Sequence, residues 1–409
     1  MTHGRRAGQD ESGGRGRIRR IAGGLLRVVR DGWLIIGITF LMFAGLEGSY
    51  RWQSRLRERL RDRAEQAESA GNRIAHPFEG EPWFGYNGPV EGGGRQFDAY
   101  RVWWPKPLGS RYLNIDSAGR RVTGPPLTRP ARARVFMLGG STMYGWNHID
   151  SLTIPAMLRR NLDATGEAPV EVLNYAQTGY TLTQGLITLM LEIRRGNVPD
   201  AAVFFDGNNE IAPVWATGRP GSISNEDLAG EAWTLGRRGF REELFGLARH
   251  SRVLRRIRVA LGEPAFVAPA RPSPDACGEI GAEYRNLVKQ GIAIGDAFGI
   301  DVVFYFQPIL ATSRKVRTAW EESVKGPPEY DELVRRCAAV SDSLLADEMG
   351  RHYVPLHGLF DADTASQFTD DWGHLTVHGN ERVARVMAER LAPLLEARAG
   401  GRRGTDRNR

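Results

Sequence analysis

Two short motifs far apart in the chain carry residue types that can do chemistry together. Gly139-Gly140-Ser141-Thr142 follows an apolar run, and Asp371-Trp372-Gly373-His374 stands shortly before the last helical pattern. They supply a serine nucleophile, a histidine base and a carboxylate to orient that base, the minimum for acyl transfer through a covalent serine ester. A serine hydroxyl is a poor nucleophile at neutral pH and needs a neutral imidazole within hydrogen-bond reach, the part His374 can play. Asp371 precedes it by three residues, so one turn-like loop can present a carboxylate to the far ring nitrogen. The pattern calls for no cofactor and no metal.

The elements that must position these groups are legible from residue 134 onward. Val135 to Leu138 reads as a strand buried on both faces, and Val170 to Tyr175, Ala201 to Phe205, Asp301 to Phe306 and Tyr353 to Leu356 as four more. Helical patterns separate them at about 152–163, 181–195, 279–298 and 329–348, and a last one covers about 376–397. Alternation of this kind implies an open parallel sheet with helices on both faces, whose strand ends converge on one edge. The expected fold is therefore α/β, a flavodoxin-like three-layer sandwich with a mainly parallel five-stranded sheet. That edge collects Ser141 after the first strand, Asn174-Tyr175-Ala176-Gln177-Thr178-Gly179 after the second, and Asp206-Gly207-Asn208-Asn209-Glu210 after the third. The backbone amides of Ser141 and Gly179 and the Asn209 carboxamide can form an oxyanion hole there. Asp206, Asn208 and His148 are candidate substrate contacts, with a plain surface position as the alternative for His148.

With these segments in view, the chain resembles the SGNH hydrolases, a branch of the GDSL-type lipases and esterases, over about residues 134 to 395. The resemblance implies Ser141 as nucleophile, Gly179 and Asn209 as oxyanion donors, and His374 with Asp371 to complete a triad. Glycine rather than aspartate precedes the serine, as in membrane-anchored relatives, and the long insertion and N-terminal anchor look like that subgroup.

Each motif has a bland alternative, a common turn for Gly-Gly-Ser-Thr or a helix cap for Asn209, but their joint occurrence in order favours catalysis. His378, four residues after His374, invites a metal reading, yet no Glu stands between them in an HExxH pattern. Gly140 to Gly145 has the glycine spacing of a phosphate loop but continues with Trp146 where lysine is required. The expected function is serine-dependent hydrolysis of carboxylic esters, of O-acetyl or other acyl groups on envelope glycans or lipids. Two other readings stand beside it: an O-acyltransferase using the same triad on an envelope polysaccharide, and a non-catalytic glycan-binding or scaffold protein. Aromatic residues between 83 and 104 can stack on sugars or pack their segment onto the sheet.

Charge gives no support to a nucleic-acid partner. Of the overall +7, residues 1–31 contribute eight Arg against three acidic residues and residues 398–409 five Arg against Asp406, so the stretch between them is slightly acidic. Residues 32–46 are uncharged, and with 47–50 as an interfacial edge the segment reaches about 19 residues or roughly 28 Å as a helix, enough to span a bilayer. A cleaved signal peptide and a buried core helix are the rival readings. Arginines are equally dense on both sides, so charge alone does not orient the span. The expected organisation is a basic tail (1–31), a transmembrane anchor (32–50), a charged helical stalk (51–75), an irregular segment packed on the main domain (76–132), the hydrolase domain (133–397) with a lid insertion at about 212–275, and a basic disordered tail (398–409). The catalytic domain is expected outside the cytoplasm, where an acylated glycan or lipid is the reachable ester. Cys277 and Cys337 form one disulfide or remain two separate thiols; spacing decides neither.

Overall fold

A computed structural model describes residues 29–49, 52–53, 74–84, 94–166, 168–223 and 272–406. Most of the expected stalk and lid lies outside the described residues. Backbone contacts divide the chain into two units. In the first, helix α1 (Val29–Ser49) is long and apolar enough to cross a membrane; its 21 residues rise to about 32 Å, matching a hydrocarbon core. None of its apolar stretch is buried by the described chain, unlike a core helix, though a signal sequence has the same character.

The second unit opens with a short hairpin, β1 (Arg95–Asp98) and β2 (Val102–Pro105), paired antiparallel. The order is then β3 (Ala133–Gly139), α2 (Ser141–Tyr144), α3 (Ile154–Ala164), β4 (Val170–Asn174), α4 (Leu182–Arg194), β5 (Ala201–Asp206), α5 (Asn208–Thr217), α6 (Ala276–Phe298), β6 (Asp301–Phe306), α7 (Ala319–Ser323), α8 (Pro328–Met349), β7 (Tyr353–Pro355) and α9 (Val377–Asp406). The last helix continues to Asp406, so residues 398–406 are helical where a disordered tail was expected.

The sheet order is β4-β3-β5-β6-β7, parallel at every junction. Counted within the sheet this is 2-1-3-4-5, the flavodoxin-like arrangement, with a switch point where β3 passes between β4 and β5. The expected α/β class holds. Side chains alternate across the strands: Phe136, Leu138, Phe204, Phe304 and Phe306 pack with α4, α6 and α8, whereas Val135, Met137, Val203, Phe205 and Tyr305 pack with α3 and α9. Burial on both faces is why these strands read as continuous apolar runs instead of alternating ones.

Close approach of α6 to the sheet rests on small residues. A Cβ at Gly295 would lie 2.5 Å from Val302 Cγ2 and 2.8 Å from the Ile300 carbonyl, so only glycine fits there. A disulfide joins Cys277 at the start of α6 to Cys337 in α8, resolving the choice that spacing left open.

The segment ahead of β3 is packed, not loose. Trp83, Trp103 and Trp104 are buried. Tyr180 packs edge-on to Trp103 at 5.2 Å, and its hydroxyl donates to the Trp103 carbonyl. Gln184 Nε2 donates to the Arg101 carbonyl at 2.9 Å, so the hairpin rests on the first turn of α4 and on Tyr180 just before it. Of the two roles open to these aromatics, these three indoles take the packing one.

Candidate active site

Ser141 sits immediately after β3 at the switch point, as the first residue of the one-turn helix α2. Its Oγ lies 2.7 Å from His374 Nε2. The other ring nitrogen, Nδ1, lies 2.5 Å from Oδ2 of Asp370. The carboxylate facing the imidazole is thus Asp370, four residues back, and not Asp371 as the Asp-x-x-His spacing predicts.

Local backbone geometry explains the difference. Phe368 and Leu375 form a β-bridge, so residues 369–374 close as a tight loop. Thr369 N donates to the His374 carbonyl at 2.9 Å, and Gly373 supplies a positive φ of 87° just before His374. Asp370 then faces His374 across the loop. Its Oδ1 accepts the amides of Trp372 (3.0 Å) and His374 (3.2 Å), which leaves Oδ2 for the ring. Asp371 stands at the apex and turns away: a Cβ on Gly326 would lie 3.0 Å from its Oδ2. Burial, with the charge of Asp370 beside it, holds the Asp371 carboxyl above its ordinary range.

The nucleophile segment and the histidine loop are tied to each other and to the sheet. Thr142 Oγ1 donates to the Gly373 carbonyl at 3.2 Å, and Asn174 Nδ2 at the end of β4 donates to the Met143 carbonyl at 3.3 Å. Arg121, a residue sequence reasoning did not single out, holds the chain after α2. Its guanidinium is buried, pairs with Asp150 at 2.9 Å, and donates to the carbonyls of Gly145 (2.7 Å) and His148 (2.6 Å). A planar fork of five donors suits such a set of acceptors, which an ammonium does not match. Nothing in its Arg-rich surroundings marked Arg121 out.

Asn209 and Gly179 are brought to the same edge. Asn209 Nδ2 donates to the Tyr180 carbonyl at 2.7 Å, one residue beyond Gly179, which has a φ of 76°. A Cβ at Gly140 would lie 2.2 Å from Asn209 Nδ2, so glycine before the serine lets this carboxamide reach the nucleophile segment.

The three candidate substrate contacts fare differently. Asn208 is buried and accepts a hydrogen bond from Tyr330 Oη at 2.9 Å, a packing role. Asp206 is buried and neither oxygen hydrogen-bonds a described residue; burial, reinforced by Glu210, pushes its carboxyl well above the ordinary range. Burial raises Glu210 as well, opposed by backbone amides that donate to it. His148 is buried beneath Phe78 and Trp83, with Nδ1 against the Trp146 carbonyl at 2.8 Å. Desolvation depresses its pKa to about 3, so it stays neutral. All three are buried. Trp146 lies beside the pair, its ring 6.2 Å from that of His374 and inclined to it by 30°, and Trp372, two residues before His374 in the chain, is half exposed.

No protein-family model matches the chain, and no curated protein matches it. Among solved structures it is similar to TesA, with 14% identity over 64% of this chain and 99% of that one and a TM-score of 0.35. It is also similar to the acetyl xylan esterase AlAXEase (13% identity, 62% and 97% covered, TM-score 0.36) and to the lipase/acylhydrolase from Enterococcus faecalis (14% identity, 64% and 96% covered, TM-score 0.36).

Proposed function

We propose that the chain hydrolyses carboxylic esters through an acyl-serine intermediate formed on Ser141. The observation that carries this reading is the hydrogen-bonded relay Ser141 Oγ to His374 Nε2 (2.7 Å) and His374 Nδ1 to Asp370 Oδ2 (2.5 Å). With the Nδ1 proton directed at Asp370, Nε2 is the basic nitrogen and takes the serine proton as Oγ attacks the ester carbonyl carbon. Asp370 fixes the ring's orientation and steadies the imidazolium that forms. The tetrahedral oxygen then carries the negative charge, and the Asn209 carboxamide with the Ser141 and Gly179 amides are the donors for it. Collapse expels the alcohol, protonated by His374; water, activated by the same base, releases the acid.

The substrate class we favour is an O-acetyl or other acyl ester on an envelope glycan or lipid. Trp146, with its ring 6.2 Å from that of His374, supports this reading as an aromatic surface next to the base. We place the domain outside the cytoplasm, anchored by α1; the Cys277–Cys337 disulfide supports an oxidising compartment.

Turnover of p-nitrophenyl acetate and labelling by a fluorophosphonate test the reading. Wild type is expected to label at Ser141, Ser141→Ala to lose turnover by at least ~10⁴-fold with an unchanged melting temperature, and Asn209→Ala to lose about 10²–10³-fold in kcat. Retained turnover in folded Ser141→Ala would remove the proposed nucleophile. Acyl transfer to an added sugar alcohol in preference to water would move the assignment to an acyltransferase.

A further inference from the structure

The two loops that bring Gly179 and Asn209 to the site are built around glycines in backbone conformations that other residues avoid. Gly179 has φ 76° and Gly207 φ 133°. Such glycines give a loop its shape and leave it with the greatest backbone freedom to lose. Something must hold both loops at once if their donors are to meet on one oxygen.

Glu210, the residue after Asn209, makes the bonds that do so. Its Oε1 accepts the Leu182 amide at 2.6 Å, at the start of α4 just beyond Gly179-Tyr180-Thr181. Its Oε2 accepts the Gly207 amide at 2.9 Å, where the turn into α5 begins. One carboxylate thereby bridges the two segments, and Asn209 Nδ2 adds a third link through the Tyr180 carbonyl. Hydrogen bonds from amides to an ionised oxygen are about twice as strong as neutral ones. Asp206, the neighbouring carboxyl, accepts none from a described residue, so of the two carboxyls Glu210 is the one that backbone amides hold.

Resting on the acyl-serine reading above, we infer that Glu210 is a positioning residue for the oxyanion hole, holding the Gly179 and Asn209 loops in register without touching the substrate. Misplacement of a donor by about 1 Å can cost on the order of a hundredfold in rate. The cost falls on kcat, because the oxyanion exists only in the transition state.

The test uses the full chain in detergent, with sites counted by fluorophosphonate labelling run to completion and p-nitrophenyl acetate as substrate. Glu210→Ala is expected to lower kcat per labelled site by about 10- to 100-fold with KM changed by less than about threefold. Glu210→Gln, which keeps one acceptor oxygen, should recover part of the loss. In an Asn209→Ala background, Glu210→Ala should cost clearly less than it does alone, since part of what it positions is already gone. Fewer labelled sites with full kcat per site would show a merely structural role and overturn the inference, as would full additivity with Asn209→Ala. Absence of labelling at Ser141 in wild type would overturn the serine reading and this inference together; labelling with unchanged kcat in Glu210→Ala would overturn this inference alone.

Discussion

At the scale of single residues, two adjacent aspartates have been sorted by one loop. Asp370 has one oxygen on two amides and the other on the His374 ring, while Asp371 faces away toward Gly326. A carboxamide at the orienting position keeps the shape but favours the wrong imidazole tautomer, and in a serine triad such a change costs about 10⁴-fold in kcat. Asp370→Asn is therefore expected to lose about three to four orders of magnitude and Asp371→Asn less than about tenfold. Steady-state kinetics on the two variants decide the matter. The reverse ranking would return the triad to the Asp-x-x-His spacing.

At the scale of elements, α6 and α8 cover one face of the sheet beside β5 and β6 and are joined by Cys277–Cys337, with a sequence separation of 60. Closing a loop of that length removes unfolded-state entropy worth about 4 kcal/mol in the chain-entropy model, with typical measured values of about 2–4 kcal/mol. Cys337→Ser, or reduction of the wild type, is expected to lower the unfolding free energy of the domain by that amount, read as a fall in the denaturant midpoint. An unchanged midpoint under reductant would mean that packing of the two helices alone sets their stability. Neighbouring elements also hold the nucleophile: α2 is only one turn long, and its position comes from β3 before it, Asn174 at the end of β4, and Arg121, which binds the chain after it.

For the molecule as a whole, the buried neutral His148 links global stability to pH. Its folded pKa is depressed to about 3, below the ordinary 6.5. Between those values the unfolded chain binds a proton that the folded chain refuses, so this contribution is intact above about pH 6.5 and is lost as pH falls toward 3, at up to about 1.4 kcal/mol per pH unit. Thermal unfolding between pH 7 and pH 4 should show that loss, and His148→Phe, lower in baseline stability, should show a shallower decline over the same range. Parallel declines in both proteins would remove His148 as the cause.

Much of the architecture was legible from the chain alone, because apolar runs and helical periodicity are local properties. The five strands and the four long helices between them fall within a few residues of where the pattern placed them, and the last helix begins there but runs on to Asp406. Ser141, Gly179, Asn209 and His374 could be assigned to one edge because a parallel sheet gathers its strand ends there. What the pattern did not contain was the identity of partners across loops. Asp370 faces the ring because the Phe368–Leu375 bridge sets the loop; Asp206, Asn208 and His148 are buried in the folded domain; Arg121 acquires its role from the carbonyls of Gly145 and His148, and Glu210 its bridging one from the distant Leu182 amide. Period and propensity act over a few residues, whereas a hydrogen bond must be placed to within about half an ångström, and only the packing of distant segments against one another decides distances of that size.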